Sequence, residues 1–432
     1  MGIKITVIGA GGSYTPELFA NLIEFRNRIQ VDEVALVDPN IERLNLIADV
    51  GRKVLLSAGL NIRVKATAER LVALVGADYV ITQIRVGGSA ARIRDEQLPM
   101  KFGMIGNETT GAGGFVSALR TIPLMLDIAA DIEKVAPQAC LMNLANPGGI
   151  LTEAVLKKSN VKVVGYCNIP INTQYAFAEM FGVSADRVVI DSFGLNHLSW
   201  VREVYLDNKP KLAALLAKTR SRRSKIYGHQ NPLDDMIEPE FMRMTGMVPG
   251  WYVRYFYRPD KILRMDRRNR LLEGERDIIA DRKILEIFSS QGYTEEAKKI
   301  LDSKGGARYY LPVLQVIESQ LCDRGDKIIA DVRNGNTLTD LSPDVAVEVP
   351  ARFFKDRIEP IPIGPLPLSV RGLVQTVKTY EELTIEAAIT GSRKLAIEAM
   401  MANPLIGSYP KAKEFLDYSL EQERAYLPQF IN

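Results

Sequence analysis

The chain has 432 residues, 47% hydrophobic and 25% charged, with a net charge of +3. That length can bury a large core and divide into two interlocked domains, and so small a net charge gives no reason to expect a nucleic-acid partner. Three widely spaced cysteines (Cys140, Cys167, Cys322) make no disulfide framework and fit a reducing compartment. No apolar run approaches the roughly 20 residues of a membrane helix, and Ile5-Thr6-Val7-Ile8 is too short for a signal-peptide core. The expectation is a cytoplasmic protein with no membrane partner.

In chain order, residues 4–8 read as a short strand that runs into Gly9-Ala10-Gly11-Gly12. A helical stretch with apolar Leu18, Phe19, Leu22 and Ile23 follows, then a strand over residues 33–37 ending at Asp38, then an amphipathic helix over residues 41–57. Further strands are predicted at residues 62–65, 78–83, 139–143 and 161–166, separated by helical patterns. This rhythm predicts an α/β fold, a Rossmann-like, doubly wound, mostly parallel sheet. After Tyr166 the rhythm changes. Residues 188–193 and 201–206 look like antiparallel strands with a turn at Asp207-Asn208, helices dominate from Lys209, and a strand pair is expected at residues 328–333 and 346–349. The end, residues 368–401 and 412–425, reads as helical. The division expected is a cofactor domain over residues 1–168 and an α+β substrate domain over 169–432.

Gly9-x-Gly11 follows a predicted strand and opens a predicted helix, and Asp38 ends the second strand. This is the context of a dinucleotide site. Gly9, Gly11, Gly12 and Ser13 let the backbone approach the pyrophosphate at a helix N-terminus, and Asp38 takes the ribose hydroxyls. Its charge would repel a 2′-phosphate, so NAD is expected rather than NADP. Tyr14 stands where the fingerprint has its third glycine.

Chemistry-bearing residues cluster at other element ends. The loop Gly106-Asn107-Glu108-Thr109-Thr110-Gly111 lies between two helices and suits a substrate-facing position. Asn146-Pro147-Gly148 follows a strand at its carboxyl end, where ligands lie in open α/β sheets. Cys167 also ends a strand, and His197, in Gly194-Leu195-Asn196-His197-Leu198-Ser199, is one of only two histidines. A thiol and an imidazole together would leave a divalent ion open to water and substrate. His229 and the basic cluster at residues 220–225 read as surface. Tyr252 and Tyr255 lie in an aromatic run that packing alone could explain; either acts as a base only if cations or a metal lower its pKa.

Taken together, Gly9-Ala10-Gly11-Gly12-Ser13-Tyr14-Thr15-Pro16-Glu17, the Gly106–Gly111 loop, Asn146-Pro147, Cys167-Asn168-Ile169-Pro170-Ile171-Asn172 and Gly194–Ser199 resemble the NAD- and manganese-dependent glycosidases of glycoside hydrolase family 4. The likeness continues through Gly274-Glu275-Arg276, Val332-Arg333-Asn334-Gly335-Asn336 and Val347-Glu348-Val349-Pro350, so it spans nearly the whole chain. It implies a fold like that of lactate and malate dehydrogenases, and Cys167 and His197 as ligands of Mn²⁺ or another divalent metal. It implies Tyr252 as base with Glu108 tuning it, the register against Tyr255 being open by one turn. Arg92, Asn146, Asn168 and Arg276 would contact the substrate. In that family an aspartate follows the cysteine in enzymes of α-linked phosphoglucosides; Asn168 matches the 6-phospho-β-glucosidases instead.

The implied reaction is C3 oxidation by NAD, C2 deprotonation, elimination of the aglycone, water addition and re-reduction, outside the usual two-carboxylate logic. The substrate would be a phosphorylated disaccharide such as cellobiose phosphate, or an aryl glucoside, and the protein a homodimer or homotetramer. Alternatives are a 6-phospho-α-glucosidase, an α-galactosidase, an NAD-dependent 2-hydroxy-acid dehydrogenase and a non-catalytic NAD sensor.

Overall fold

The computed structural model describes residues 2–218 and 237–431; His229 and residues 220–225 lie outside them. The strands are β1 Ile3–Ile8, β2 Val31–Val37, β3 Arg63–Thr67, β4 Tyr79–Thr82, β5 Cys140–Asn143, β6 Lys162–Gly165, β7 Val188–Leu195, β8 Leu198–Leu206, β9 Lys209–Pro210, β10 Val248–Pro249, β11 Asp326–Arg333, β12 Ala346–Phe353 and β13 Ile358–Pro360. Helices α1 Thr15–Phe25, α2 Ile41–Ser57, α3 Arg70–Leu74, α4 Gly88–Lys101, α5 Gly111–Val135, α6 Gly148–Lys158 and α7 Asn168–Phe181 alternate with the first six strands or follow them.

Nine strands form one sheet in the order β13-β12-β11-β6-β5-β4-β1-β2-β3. The parallel part, from β6 to β3, has the strand order of a doubly wound dinucleotide fold. Its strands are near-continuous apolar runs, as in Val34-Ala35-Leu36-Val37, because helices cover both faces and no side of the strand meets water. Helices α1 and α2 close over one face so tightly that a Cβ on Gly51 would lie 2.3 Å from the Phe19 ring. Phe19 is fully buried there, and truncating such a ring to alanine costs about 3–5 kcal/mol.

Three features differ from the sequence expectation. The strand pair foreseen near residue 330 continues the first sheet: β11 lies antiparallel beside β6, with Asp331 opposite Gly165, so strands from both sides of residue 168 share one sheet. The β7–β8 hairpin turns at Asn196-His197, with both strands longer than expected. Asp207-Asn208 is also a turn, both residues at positive φ (48° and 62°), but it leads from β8 into β9. The helix expected over residues 368–401 is two helices, Leu368–Thr390 and Arg393–Ala402, parted at Gly391 with φ 66°. Among the described residues no helix is long and apolar enough to cross a membrane.

Candidate active site

The glycine loop after β1 opens a cleft of about 690 Å³ at the carboxyl ends of the parallel strands. Gly9 has φ 87°, and a Cβ there would meet the Gln83 carbonyl oxygen at 2.8 Å. A Cβ on Gly11 would meet the Asp38 carboxylate at 2.8 Å. Asp38 accepts from the Gly11 N–H and the Asn40 N–H, each at 2.9 Å, so it braces the loop and lines the cleft at once. Gly12 and Ser13 line the cleft too. This loop and this acid fit a dinucleotide: a side-chain-free backbone at a helix N-terminus for a pyrophosphate, a carboxylate for a ribose.

Tyr14 explains its own departure from the glycine fingerprint. Its ring stacks on Tyr309 at 5.2 Å, and a Cβ on Gly306 would lie only 1.8 Å from it. The glycine missing from the loop is supplied by Gly306, on the segment packed above. Behind this pair, Glu17 on α1 accepts from the Tyr309 N–H at 3.0 Å, and burial pushes its carboxyl from the usual 4.5 up to about 8. The folded state therefore holds the Glu17 proton where the unfolded chain has lost it. Its contribution to stability is full below about pH 4.5 and is lost as pH rises toward 8. Glu17→Gln keeps an acceptor for Tyr309; thermal melts should show Tm raised by roughly 5 °C above pH 8 and no gain at pH 4. An equal gain at both pH values would rule this account out.

Cys167 is the N-cap of α7, its Sγ accepting from the Ile169 N–H at 3.5 Å. His197 occupies the β7–β8 turn at φ 62°, and its Nε2 lies 3.4 Å from the Cys167 Sγ. Two donors bonded to one divalent ion at about 2.0–2.3 Å can stand no more than about 4.4 Å apart, so the pair fits such an ion. Burial lowers the His197 pKa to about 3, which leaves the imidazole neutral, the form able to ligate an ion. Burial, then Glu348, raise the Cys167 thiol well above its ordinary value. Among the described residues no third histidine, cysteine or carboxylate completes a metal cage, so an ion held by this pair would keep positions open to water and substrate oxygens.

Tyr252 stacks on His197, ring centroids 3.9 Å apart and planes 18° from parallel, and hydrogen-bonds Thr109. Tyr255 lies one turn away, 5.7 Å from Tyr252, and its hydroxyl accepts from Asn107 Nδ2 at 3.2 Å. The structure thus brings Cys167, His197 and Tyr252 together. Asn168 donates to the carbonyls of Gly305 and Ala307 at 2.6 and 3.2 Å. Asn146, which precedes a cis proline, lines the cleft and accepts from the Gly148 N–H at 3.2 Å.

The remaining expected residues lie apart from the Cys167, His197 and Tyr252 group. Glu108 is paired with Arg85 and with Arg92 at 3.4 Å, while its neighbour Thr109 is the one that reaches Tyr252. Arg92 lines the cleft but is surrounded by Glu96, Glu108, Glu273 and Asp277, a net acidic corner that suits sugar hydroxyls better than a phosphate. Arg276 is exposed on the helix Glu273–Gln291 and does not line the cleft, whereas Asp277 does. Sequence reasoning missed Gln83, Arg85, Asp281, Lys304 and Tyr309, all of which line the cleft. Gln83 and Arg85 were within reach of it, since they follow a strand end. Asp281, which binds Ser13, Arg43 and Lys304, carries no local signal.

A profile of the family 4 glycosyl hydrolases matches residues 4–183, and one of the family's C-terminal domain matches residues 192–406. The chain belongs to glycoside hydrolase family 4. Relatives in the family include a probable 6-phospho-β-glucosidase of Bacillus subtilis, 37% identical over all of this chain and 98% of that protein. The 6-phospho-β-glucosidase of Thermotoga maritima has been solved with manganese, NAD⁺ and glucose-6-phosphate, at TM-score 0.89 and 29% identity, covering 98% of this chain and 99% of that one. Malate dehydrogenase of Plasmodium falciparum, at 14% identity over 90% of this chain and 98% of that one, with TM-score 0.53, shares the fold. The family 4 fold is thus the dehydrogenase-like one read from the sequence.

Proposed function

We propose that this chain hydrolyses 6-phospho-β-glucosides, such as cellobiose phosphate or aryl glucosides, with NAD and Mn²⁺ or another divalent metal. The observation that carries the reading is the 3.4 Å approach of Cys167 to His197 with Tyr252 stacked on the imidazole. When bound, NAD exchanges a hydride with the sugar C3 and the ion polarises the C2 and C3 oxygens, making the C2 proton acidic. Cys167 and His197 hold the ion, and Tyr252, beside His197, takes the C2 proton. Asn146 and Arg92 orient hydroxyls, and Asp38 with Gly9, Gly11, Gly12 and Ser13 seats the cofactor. The Asn168 amide cannot act as an acid toward the leaving group; tied to two carbonyls, it orients the sugar. The aglycone leaves C1 and water adds in its place, so the net reaction is hydrolysis.

Residues 1–168 seat the cofactor through the glycine loop and Asp38, and 169–432 supply His197, Tyr252 and the Asp281 and Lys304 wall of the cleft, with Glu108 acting on the base through its neighbours and Arg276 contacting substrate from the helix Glu273–Gln291. The chain works in the cytoplasm and self-associates as a homodimer or homotetramer. Exposed apolar side chains such as Leu71, Val72 and Val75 support an interface, and light scattering tests it.

The deciding assay compares 4-nitrophenyl 6-phospho-β-glucoside with its α anomer and its unphosphorylated form, omitting NAD⁺ and Mn²⁺ in turn. The phosphorylated β anomer should be cleaved fastest, by at least about 100-fold (~2.7 kcal/mol in the barrier), and only with both additions. Faster cleavage of the α anomer would move the chain to the sister specificity, and NADH accumulating with turnover would make it a dehydrogenase.

A further inference from the structure

Strands β11 and β12 place Asp331 and Glu348 directly opposite each other. Both are buried, 1% and 3% exposed, and neither oxygen of Asp331 has a hydrogen-bond partner among the described residues. Lys378, the cation whose field reaches Asp331, is bonded to Glu153 at 2.6 Å and also paired with Glu381. Facing carboxyl groups in so dry a place are unfavourable unless something repays them.

Glu348 has polar work on its other side. Its Oε2 accepts from Asn196 Nδ2 at 3.1 Å, and its carboxyl also hydrogen-bonds Ser199. Asn196 and Ser199 bracket His197, whose left-handed φ of 62° is one that residues with a Cβ rarely adopt. Asn196 is confined from the opposite side as well. Its Oδ1 lies 3.0 Å from where a Cβ on Gly148 would be, and its own Cβ 3.1 Å from where one on Gly149 would be. The two-residue turn is therefore clamped between the start of α6 and the Glu348 carboxyl. The clamp fixes the backbone from which the His197 imidazole projects, and the Tyr252 ring stacks on that imidazole from outside it.

We propose that Glu348 is a positioning residue that sets divalent-metal affinity without touching the ion, by holding Asn196 and Ser199 so that His197 Nε2 faces Cys167. The proposal rests on reading Cys167 and His197 as the metal donors. Groups that orient a ligating histidine are typically worth about 10–100-fold in metal affinity. A glutamine can replace the carboxylate as acceptor for Asn196, whereas an alanine cannot.

The test is titration of the full-length protein with Mn²⁺, following the free ion by electron paramagnetic resonance, with NAD⁺ affinity measured in parallel. Glu348→Ala and Asn196→Ala should each weaken Mn²⁺ binding about 10–100-fold, Glu348→Gln, which loses the same charge beside Cys167 but keeps the acceptor, should bind clearly more tightly than Glu348→Ala, and NAD⁺ affinity should not move. Cys167→Ser should lose the ion altogether. Parent-like Mn²⁺ affinity in Glu348→Ala, or a Glu348→Gln variant as weak as the alanine, would overturn the positioning role. Parent-like affinity in Cys167→Ser would instead overturn the metal-ligand reading beneath it. Should Glu348→Ala lose NAD⁺ binding, and so its fold, Asn196→Ala decides in its place by the same criterion.

Discussion

Replacing Cys167 by serine is expected to remove divalent-metal binding and metal-dependent hydrolysis together, lowering kcat/KM by about 10³-fold or more, the scale of several kcal/mol of lost Lewis-acid stabilisation. NAD⁺ affinity should stay within about twofold, because Cys167 is not among the described residues that line the glycine-loop cleft. The fold should survive, since Cys167 caps α7 through the Ile169 N–H and serine is a good helix cap. A serine hydroxyl does not ionise as a thiol does, so the loss reports ligation rather than unfolding.

The pH dependence has a definite sign. Burial and the nearby Glu348 raise the Cys167 thiol, so the ion must displace a proton, whereas His197, pushed down to about 3, is already neutral. Metal affinity should fall about tenfold for each pH unit of acidification, with one proton released per ion. Calorimetry in buffers of different ionisation enthalpy counts that proton. Full activity after the thiol is blocked would sink the assignment.

Tyr252→Phe should lower kcat by about 10²–10⁴-fold, the usual worth of a positioned general base. In D₂O the parent enzyme should place deuterium at C2 of the product; its absence there would reject C2 deprotonation altogether. Tyr255→Phe removes a bond from Asn107 and should cost about 1 kcal/mol of stability with little effect on rate. Burial first, and Tyr255 and Glu273 after it, raise the Tyr252 phenol above its ordinary value. The Tyr252 phenol is therefore no ready base by itself, and a cation beside His197 would reverse the shift. If Tyr255→Phe proves the more damaging change, the base lies one turn further along.

Local patterns were legible where one segment decides its own structure. The helix Ile41–Ser57 matches its expected bounds, and the strand–glycine–helix opening with Asp38 appeared as read. The β7–β8 turn was not legible, because Asn196-His197 lacks the glycine or Asn-Gly chemistry that marks a two-residue turn, and its backbone is imposed from β12. The joining of β11 to β6 was hidden for another reason: a strand's sequence states that it pairs, not with which distant partner. Within the site, Cys167, His197 and Asn146 stood out by position at element ends. Gly306, Asp281 and Lys304 gain meaning only in three dimensions: Gly306 packs on Tyr14, and Asp281, the partner of Lys304, bonds Ser13, 268 positions away in sequence.

The meeting of β6 and β11 has a consequence for how such enzymes can diverge. The chain leaves the sheet after Gly165 and re-enters at Asp326, on the strand next to the one it left. Everything between, including the hairpin that bears His197 and the segment that bears Tyr252, is topologically a single excursion whose two ends are neighbours. Such an excursion can be lengthened, trimmed or exchanged without rethreading the strands that seat the dinucleotide. The reverse operation is not neutral: a fragment ending at β6 would leave a buried, apolar strand as a bare edge, open to pairing with the next molecule.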